Sequence, residues 1–246
     1  MQVIKISGKQ LDEVQFLDTL AQVLSELPEQ TIIVHGGGRE IGQLQYLYDV
    51  QPTFVDGLRV TDEMSLEIVK MVLCGAVNPR IVELLGLLGI EAQGLSGLDR
   101  GLMRAKKLEH PEADLGYVGE VVSVRTDILH ALLADNVLPV IAPICLGDAG
   151  TLNVNADHVA GAVGRAMNAD RVVFISNVPG VLHKNRTVPR LTVEMVEDYI
   201  EQGIIAYGMV PKVRTACDLL RAGVKEILIT SMEGLRANVG TRVVME

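Results

Sequence analysis

Thr31-Ile32-Ile33-Val34-His35-Gly36-Gly37-Gly38-Arg39-Glu40-Ile41-Gly42 decides the fold. A β-branched apolar run stops at three consecutive glycines, and an amphipathic helical pattern follows. That order is strand, tight turn, helix start. Glycines there allow positive φ and let a ligand approach main-chain N–H groups with no Cβ in the way. The free N–H groups and the dipole at the helix start favour an anion, such as a carboxylate or phosphate. A tight strand-to-helix connection without a ligand is the alternative. The dinucleotide fingerprint fails on spacing: Gly36 and Gly38 require a small third residue where Ile41 stands.

Outward from this turn the pattern repeats. Val3 to Ser7 alternates as a short buried strand, and Leu11 to Leu27 carries apolar residues at helical spacing, stopping before Pro28. Glu40 to Tyr48 is the second helix. Strand and helix in alternation predict a parallel sheet with helices packed on it. Thr61 or Asp62 caps a long helical pattern from Glu63 to Leu88, bent near Pro79. Ile90 to Gln93 reads as a strand. Between Leu102 and Val124, Gly116 and Gly119 break the pattern into a hairpin-rich insert. Helices are expected at Asp127 to Leu133, from Asn155-Ala156-Asp157 onward, at Glu194 to Gln202 and at Pro211 to Gly223. Strands are expected at Leu138 to Ile144, Arg171 to Ser176, Glu226 to Thr230 and Arg242 to Met245.

A length of 246 residues suffices for one large domain or two lobes. Charged residues at 22% and hydrophobic residues at 48% fit a folded globular enzyme. A net charge of -9 and aromatics at 3% count against nucleic-acid binding, which needs a basic face and stacking platforms, while leaving room for a local basic pocket. No apolar stretch approaches the about twenty residues of a membrane span, and the N-terminus reads as a strand rather than a signal peptide, so a cytoplasmic location is expected. Cys74, Cys145 and Cys217 show no metal spacing and read as small buried hydrophobes.

Walker, HExxH and EF-hand patterns are absent, and Gly94-Leu95-Ser96-Gly97 misses the serine-elbow spacing by one residue. The five histidines show no ligand spacing and read mostly as surface or loop residues. Polar residues instead recur at strand ends, where open α/β sheets bind ligands. Lys5 lies in a buried strand, costly unless paired or facing a ligand. Arg59 stands in a glycine-bounded loop and suits a carboxylate. Asn153 and Asn155 precede Asp157 at a helix start, and Lys212 follows Gly208-Met209-Val210-Pro211. Singly, each has a bland reading as a snorkelling or solvated side chain or a helix cap.

Together, Lys5-x-x-Gly8, Val34-His35-Gly36-Gly37-Gly38, Gly57-Leu58-Arg59-Val60-Thr61, Asn153-Val154-Asn155-Ala156-Asp157 and Gly208-Met209-Val210-Pro211-Lys212-Val213 resemble the acetylglutamate kinase family of the amino acid kinase superfamily. Gly94 to Gly97 and Asp114 to Val121 resemble family segments too. The match runs to Gly240-Thr241-Arg242. It implies a single domain over residues 1–246, an α/β three-layer αβα sandwich with a mainly parallel open central sheet. An N-terminal lobe to about residue 168 would bind the amino-acid substrate and dimerise, and a C-terminal lobe from about 169 would bind ATP. The resemblance assigns Gly37, Gly38, Arg59 and Asn153 to N-acetyl-L-glutamate. Lys5 and Lys212 would neutralise the migrating phosphoryl group, with Asp157 fixing both lysines. Gly8, Asn177, Gly180, Val181, Leu182, Gly208 and Met209 would line ATP, whose phosphates would carry Mg²⁺ with no protein metal motif.

Ser7 stands where the family usually has glycine, and Asn177 where it commonly has aspartate. The chain starts at its first strand, without the helix that builds arginine-inhibited hexamers, so an arginine-insensitive homodimer is expected. Leu73-Cys74-Gly75, Gly97-Leu98-Asp99 and Ser176 to Gly180 resemble the branch acting on carrier-linked aminoadipate or glutamate in lysine or ornithine biosynthesis. A catalytically silent regulatory protein that binds nucleotide or amino acid is the rival from another class.

Overall fold

The computed structural model describes residues 1–8, 14–27 and 29–246. The chain runs β1 (Gln2–Ile6), α1 (Val14–Glu26), β2 (Thr31–His35), α2 (Gly38–Leu47), β3 (Phe54–Val55), β4 (Leu58–Arg59), α3 (Glu63–Lys70), a π-helical turn (Met71–Val77), α4 (Asn78–Leu87) and β5 (Ala92–Ser96). The expected start of the first helix at Leu11 lies outside the described residues. Next come β6 (Met103–Lys107), β7 (Val118–Val124), α5 (Thr126–Ala134), β8 (Leu138–Ala142), β9 (Ile144–Gly147), β10 (Gly150–Val154), α6 (Ala156–Ala166) and β11 (Arg171–Ile175). The C-terminal part holds β12 (Leu182–His183), β13 (Arg186–Thr187), β14 (Arg190–Thr192), α7 (Met195–Glu201), α8 (Met209–Arg221), β15 (Ile227–Thr230), α9 (Met232–Arg236) and β16 (Thr241–Val244).

Eight strands form the central sheet in the order β14-β16-β15-β11-β1-β2-β8-β5. Six of them run parallel, and β16 turns antiparallel to β15. The two-residue period of β1 sends alternate side chains to opposite faces. Val3 enters one apolar core with α6 and α8, while Ile4 and Ile6 enter the other with α1 and α4. Lys5 therefore projects to the α6 and α8 side. This is the three-layer αβα sandwich with a mainly parallel sheet. No helix among the described residues is long and apolar enough to cross a membrane.

Two segments depart from the sequence expectation. The hairpin β6–β7 does form, but it closes with β9 and β10 into a small barrel. Pro143 separates β8 from β9, ending the expected single strand at Leu138 to Ile144, and Val154 N–H returns to the Pro143 carbonyl at 3.0 Å. The helical run from Glu63 is widened into a π turn just before Pro79. Asp62 caps its start by accepting from Ser65 N–H at 2.8 Å, and Asn78 N–H donates five residues back to the Leu73 carbonyl. That π register precedes Pro79, which sits in the first turn of α4, where a missing N–H costs nothing.

Candidate active site

β1 sits between β2, the next strand in the chain, and β11, which the chain reaches only after the barrel and α6, so the strand order reverses at β1. Such a switch point opens a crevice beyond the strand ends. Here the crevice is a cleft of about 640 Å³ lined by Lys5, Gly8, Gly36 to Gly38, Arg59, Asn153, Asp157 and Lys212. Apolar Ile41, Leu73, Val118 and Pro143 complete its wall.

At its floor two backbones almost touch. A Cβ on Gly8 would lie 2.6 Å from Gly37 Cα, and one on Gly37 would lie 2.7 Å from Leu73 Cδ2. Neither position accommodates a side chain without displacing a neighbour, which explains the glycines by contact rather than by φ.

Lys5 Nζ lies 2.8 Å from Asp157 Oδ1, the ion pair that makes a lysine tolerable in a buried strand. Asp157 is held in the first turn of α6 by its neighbour: Asn155 caps the helix, its side-chain oxygen accepting from Asp157 N–H at 2.8 Å. Lys212, in the first turn of α8, donates to the Ile175 carbonyl at 3.3 Å at the end of β11. Burial first, and then the nearby charge of Lys5, push the Lys212 ammonium down to about 8 against the opposing pull of Asp157.

A second part of the lining is a linked polar set. The Arg59 guanidinium donates to the Gly38 carbonyl at 2.9 Å and to Gln45 Oε1, and lies 4.7 Å above the Phe54 ring. Asn153 donates to Thr61 Oγ1 at 3.1 Å, and Thr61 donates to the Arg59 carbonyl at 2.9 Å. Loop and barrel are thereby tied together, and Arg59 and Asn153 face the same cleft as the two lysines. Cations, an amide and glycine N–H groups converge where an anionic ligand fits.

The remaining expected nucleotide residues lie outside the cleft lining. Asn177 and Gly180 follow β11, Leu182 opens the β12–β13 hairpin, and Gly208 and Met209 begin α8, whose first turn carries Lys212. Val181 is buried in the core. Its N–H donates to Thr241 Oγ1 at 2.8 Å and its carbonyl accepts from Val188 N–H at 2.8 Å.

His35 is the exception among histidines that read mostly as surface or loop residues: it is fully buried, because β2 is covered on both faces and the strand carries its last residue inside. Burial drives its imidazolium down to about 4. Cys74 is exposed, whereas Cys145 and Cys217 are buried as expected, since the π turn points Cys74 away from the core. Asn78, which hydrogen-bonds His35, was not singled out in the sequence. Its position inside the helical pattern from Glu63 to Leu88, next to Pro79, gave no signal of a buried partner.

The sequence profile of the amino acid kinase family matches residues 1–231. An acetylglutamate kinase of Roseiflexus castenholzii is 48% identical over 99% of this chain and 94% of its own length. The crystal structure of smu.665 from Streptococcus mutans UA159 superposes with a TM-score of 0.82 at 29% identity, covering 100% of this chain and 98% of that one. The N-acetylglutamate synthase of Neisseria gonorrhoeae, solved with coenzyme A and N-acetyl-glutamate, shares the fold with a TM-score of 0.85 at 21% identity, over 100% of this chain and 59% of its own. By profile, sequence and fold together, the chain belongs to the amino acid kinase family, and within it to the acetylglutamate kinases.

Proposed function

We propose that the chain transfers the γ-phosphoryl group of ATP to the side-chain carboxylate of N-acetyl-L-glutamate, giving N-acetyl-L-glutamyl 5-phosphate, a step of arginine biosynthesis. The observation that carries this reading is the cleft itself. It brings together Lys5, Asp157 and Lys212, Arg59 with Asn153, and the glycine backbone of Gly36 to Gly38.

The acceptor carboxylate is ionised at pH 7, so the reaction needs no general base. The barrier is repulsion between two anions and the charge on the migrating group, and positioning with electrostatics lowers it. Arg59 and Asn153 grip the α-carboxylate, and the apolar wall of Leu73 and Val118 fits an acyl chain. Gly37 and Gly38 offer N–H groups. Lys5 and Lys212 face the phosphoryl group from β1 and α8, and Asp157 fixes Lys5. Gly8 and the turns at Asn177, Gly180 to Leu182 and Gly208-Met209 form the nucleotide side. The region to about residue 168 then serves the amino acid and that from about 169 serves ATP. Mg²⁺ enters with the ATP phosphates and supplies charge neutralisation there. Asp157 is engaged by Lys5, and no trio of metal-binding side chains occurs among the described residues.

This reading includes a cytoplasmic homodimer, which light scattering tests. Relatives named acetylglutamate kinase at nearly full length favour the free acyl amino acid over a carrier-linked acceptor. The decisive assay is coupled ADP release with Mg²⁺-ATP and N-acetyl-L-glutamate, compared with glutamate and N-acetyl-L-2-aminoadipate. Turnover with acetylglutamate alone is the expected result; silence with all three overturns the reading.

A further inference from the structure

Behind the glycine turn lies a buried hydrogen-bond chain that none of the roles above uses. His35 Nδ1 is 3.1 Å from the Gly36 carbonyl oxygen, and His35 Nε2 is 3.0 Å from Asn78 Nδ2. The Asn78 amide nitrogen also faces the Val140 carbonyl at 2.9 Å and the Leu95 carbonyl at 3.5 Å. Two carbonyl oxygens around one atom identify it as the nitrogen of the amide, which donates and cannot accept. Asn78 therefore donates to Nε2, which must be unprotonated, and the proton resides on Nδ1, which donates to Gly36. Burial keeps the ring neutral at pH 7.

The consequence follows from the planar trans peptide. The Gly36 carbonyl and the Gly37 N–H belong to one unit and point in opposite directions, so pinning the first aims the second. Glycine peptides rotate at low cost and do not hold such an orientation unaided. Most other polar groups of the turn are already engaged: Gly36 N–H donates to the Ile6 carbonyl at 2.9 Å, the Gly37 carbonyl accepts from Ile41 N–H at 2.9 Å, and the Gly38 carbonyl accepts from Arg59, which leaves the N–H groups of Gly37 and Gly38. Gly37 N–H has no partner among the described residues, and Gly37 lines the cleft. One π turn supplies both supports, because Asn78 N–H closes on the Leu73 carbonyl while the Leu73 side chain backs Gly37.

We propose that His35, oriented by Asn78, is a positioning residue that aims the Gly37 N–H into the cleft as a preset donor to the anionic acceptor. The inference rests on the kinase reading of that cleft.

Two variants separate direction from mere filling. In His35→Asn the side-chain nitrogen falls near the place of Nδ1 and restores the bond to Gly36. In His35→Gln it falls near that of Nε2 and does not. With thermal unfolding midpoints confirming that both fold, His35→Asn is expected to keep kcat/KM for acetylglutamate within about threefold of the wild type. His35→Gln is expected to lose at least about tenfold, within the range for a misplaced preorganised donor. Equal activity in the two variants overturns the proposal. A second measurement needs neither variant to be active: ¹⁵N NMR of histidine-labelled wild-type protein at pH 7 must show one neutral histidine protonated on Nδ1, perturbed by Asn78→Asp. A population with Nε2 protonated at all five histidines, or an imidazolium at His35, overturns it. If the wild type does not phosphorylate acetylglutamate, the kinase reading fails while the NMR result still decides the tautomer.

Discussion

Lys5 at the end of β1 is matched by Asp157 at 2.8 Å, whereas Lys212 in the first turn of α8 donates to the Ile175 carbonyl at 3.3 Å and forms no ion pair of its own among the described residues. Both side chains are largely withdrawn from water and face one cleft. One cation is balanced before any ligand arrives. The other sits in surplus, pushed down to about 8 by burial and by Lys5 itself. The difference teaches how the site divides its labour. The Lys5–Asp157 pair belongs to the folded framework, and Lys212 awaits the negative charge of a bound polyanion. A nucleotide's phosphates supply that charge from the side of the cleft where α8 begins.

The largest expected effect tests whether both lysines act on the same transition state. Lys5→Ala and Lys212→Ala are each predicted to lower kcat about a hundredfold or more, the scale of one lost preorganised charge donor. A near-normal kcat in both variants breaks the mechanism. A pH series sharpens the comparison next. The productive form of Lys212 is protonated, so kcat/KM for ATP should fall as pH rises through about 8 in the free enzyme. Lys212→Arg, with a guanidinium that stays charged, should retain only part of the activity but lose that alkaline limb. If the limb persists unchanged in Lys212→Arg, another group is responsible for it.

How much of this could be read from the sequence varies from element to element. Strand, glycine turn and helix at Thr31 to Leu47 were legible because each signal is local: β-branched residues, three glycines, then a helical period. Lys5, Arg59, Asn153, Asp157 and Lys212 do converge, since each lies at the edge of an element whose end faces the crevice. The barrel was not legible. Its closure depends on the non-local pairing of Asn153 with Val118, and a sequence period says nothing about which strands meet. The π turn depends on a single register, Asn78 N–H to the Leu73 carbonyl, that a helical pattern does not distinguish. The burial of His35 was not singled out either, because what decides its place is that both faces of β2 are covered.

Folding stability gives the smallest expected effect and the one most specific to the comparison, because the two lysines should move it in opposite directions. Removing Lys5 leaves the Asp157 carboxylate without its cation, so Lys5→Met should cost about 2 kcal/mol, below the range for a fully buried pair because both side chains keep some exposure. Removing Lys212 relieves a desolvation penalty. Lys212→Met should therefore stabilise the ligand-free protein at pH 7 by about 1–3 kcal/mol, a rise of several degrees in the unfolding midpoint, while abolishing turnover. The pH dependence carries the sign. The folded-state value of Lys212 lies below its unfolded value of 10.5, so the penalty is complete below about pH 8 and disappears by about 10.5. The advantage of Lys212→Met over the wild type should shrink across that window in thermal melts. An advantage that is constant from pH 7 to pH 10 would mean that methionine packs better there and that Lys212 carries no uncompensated charge.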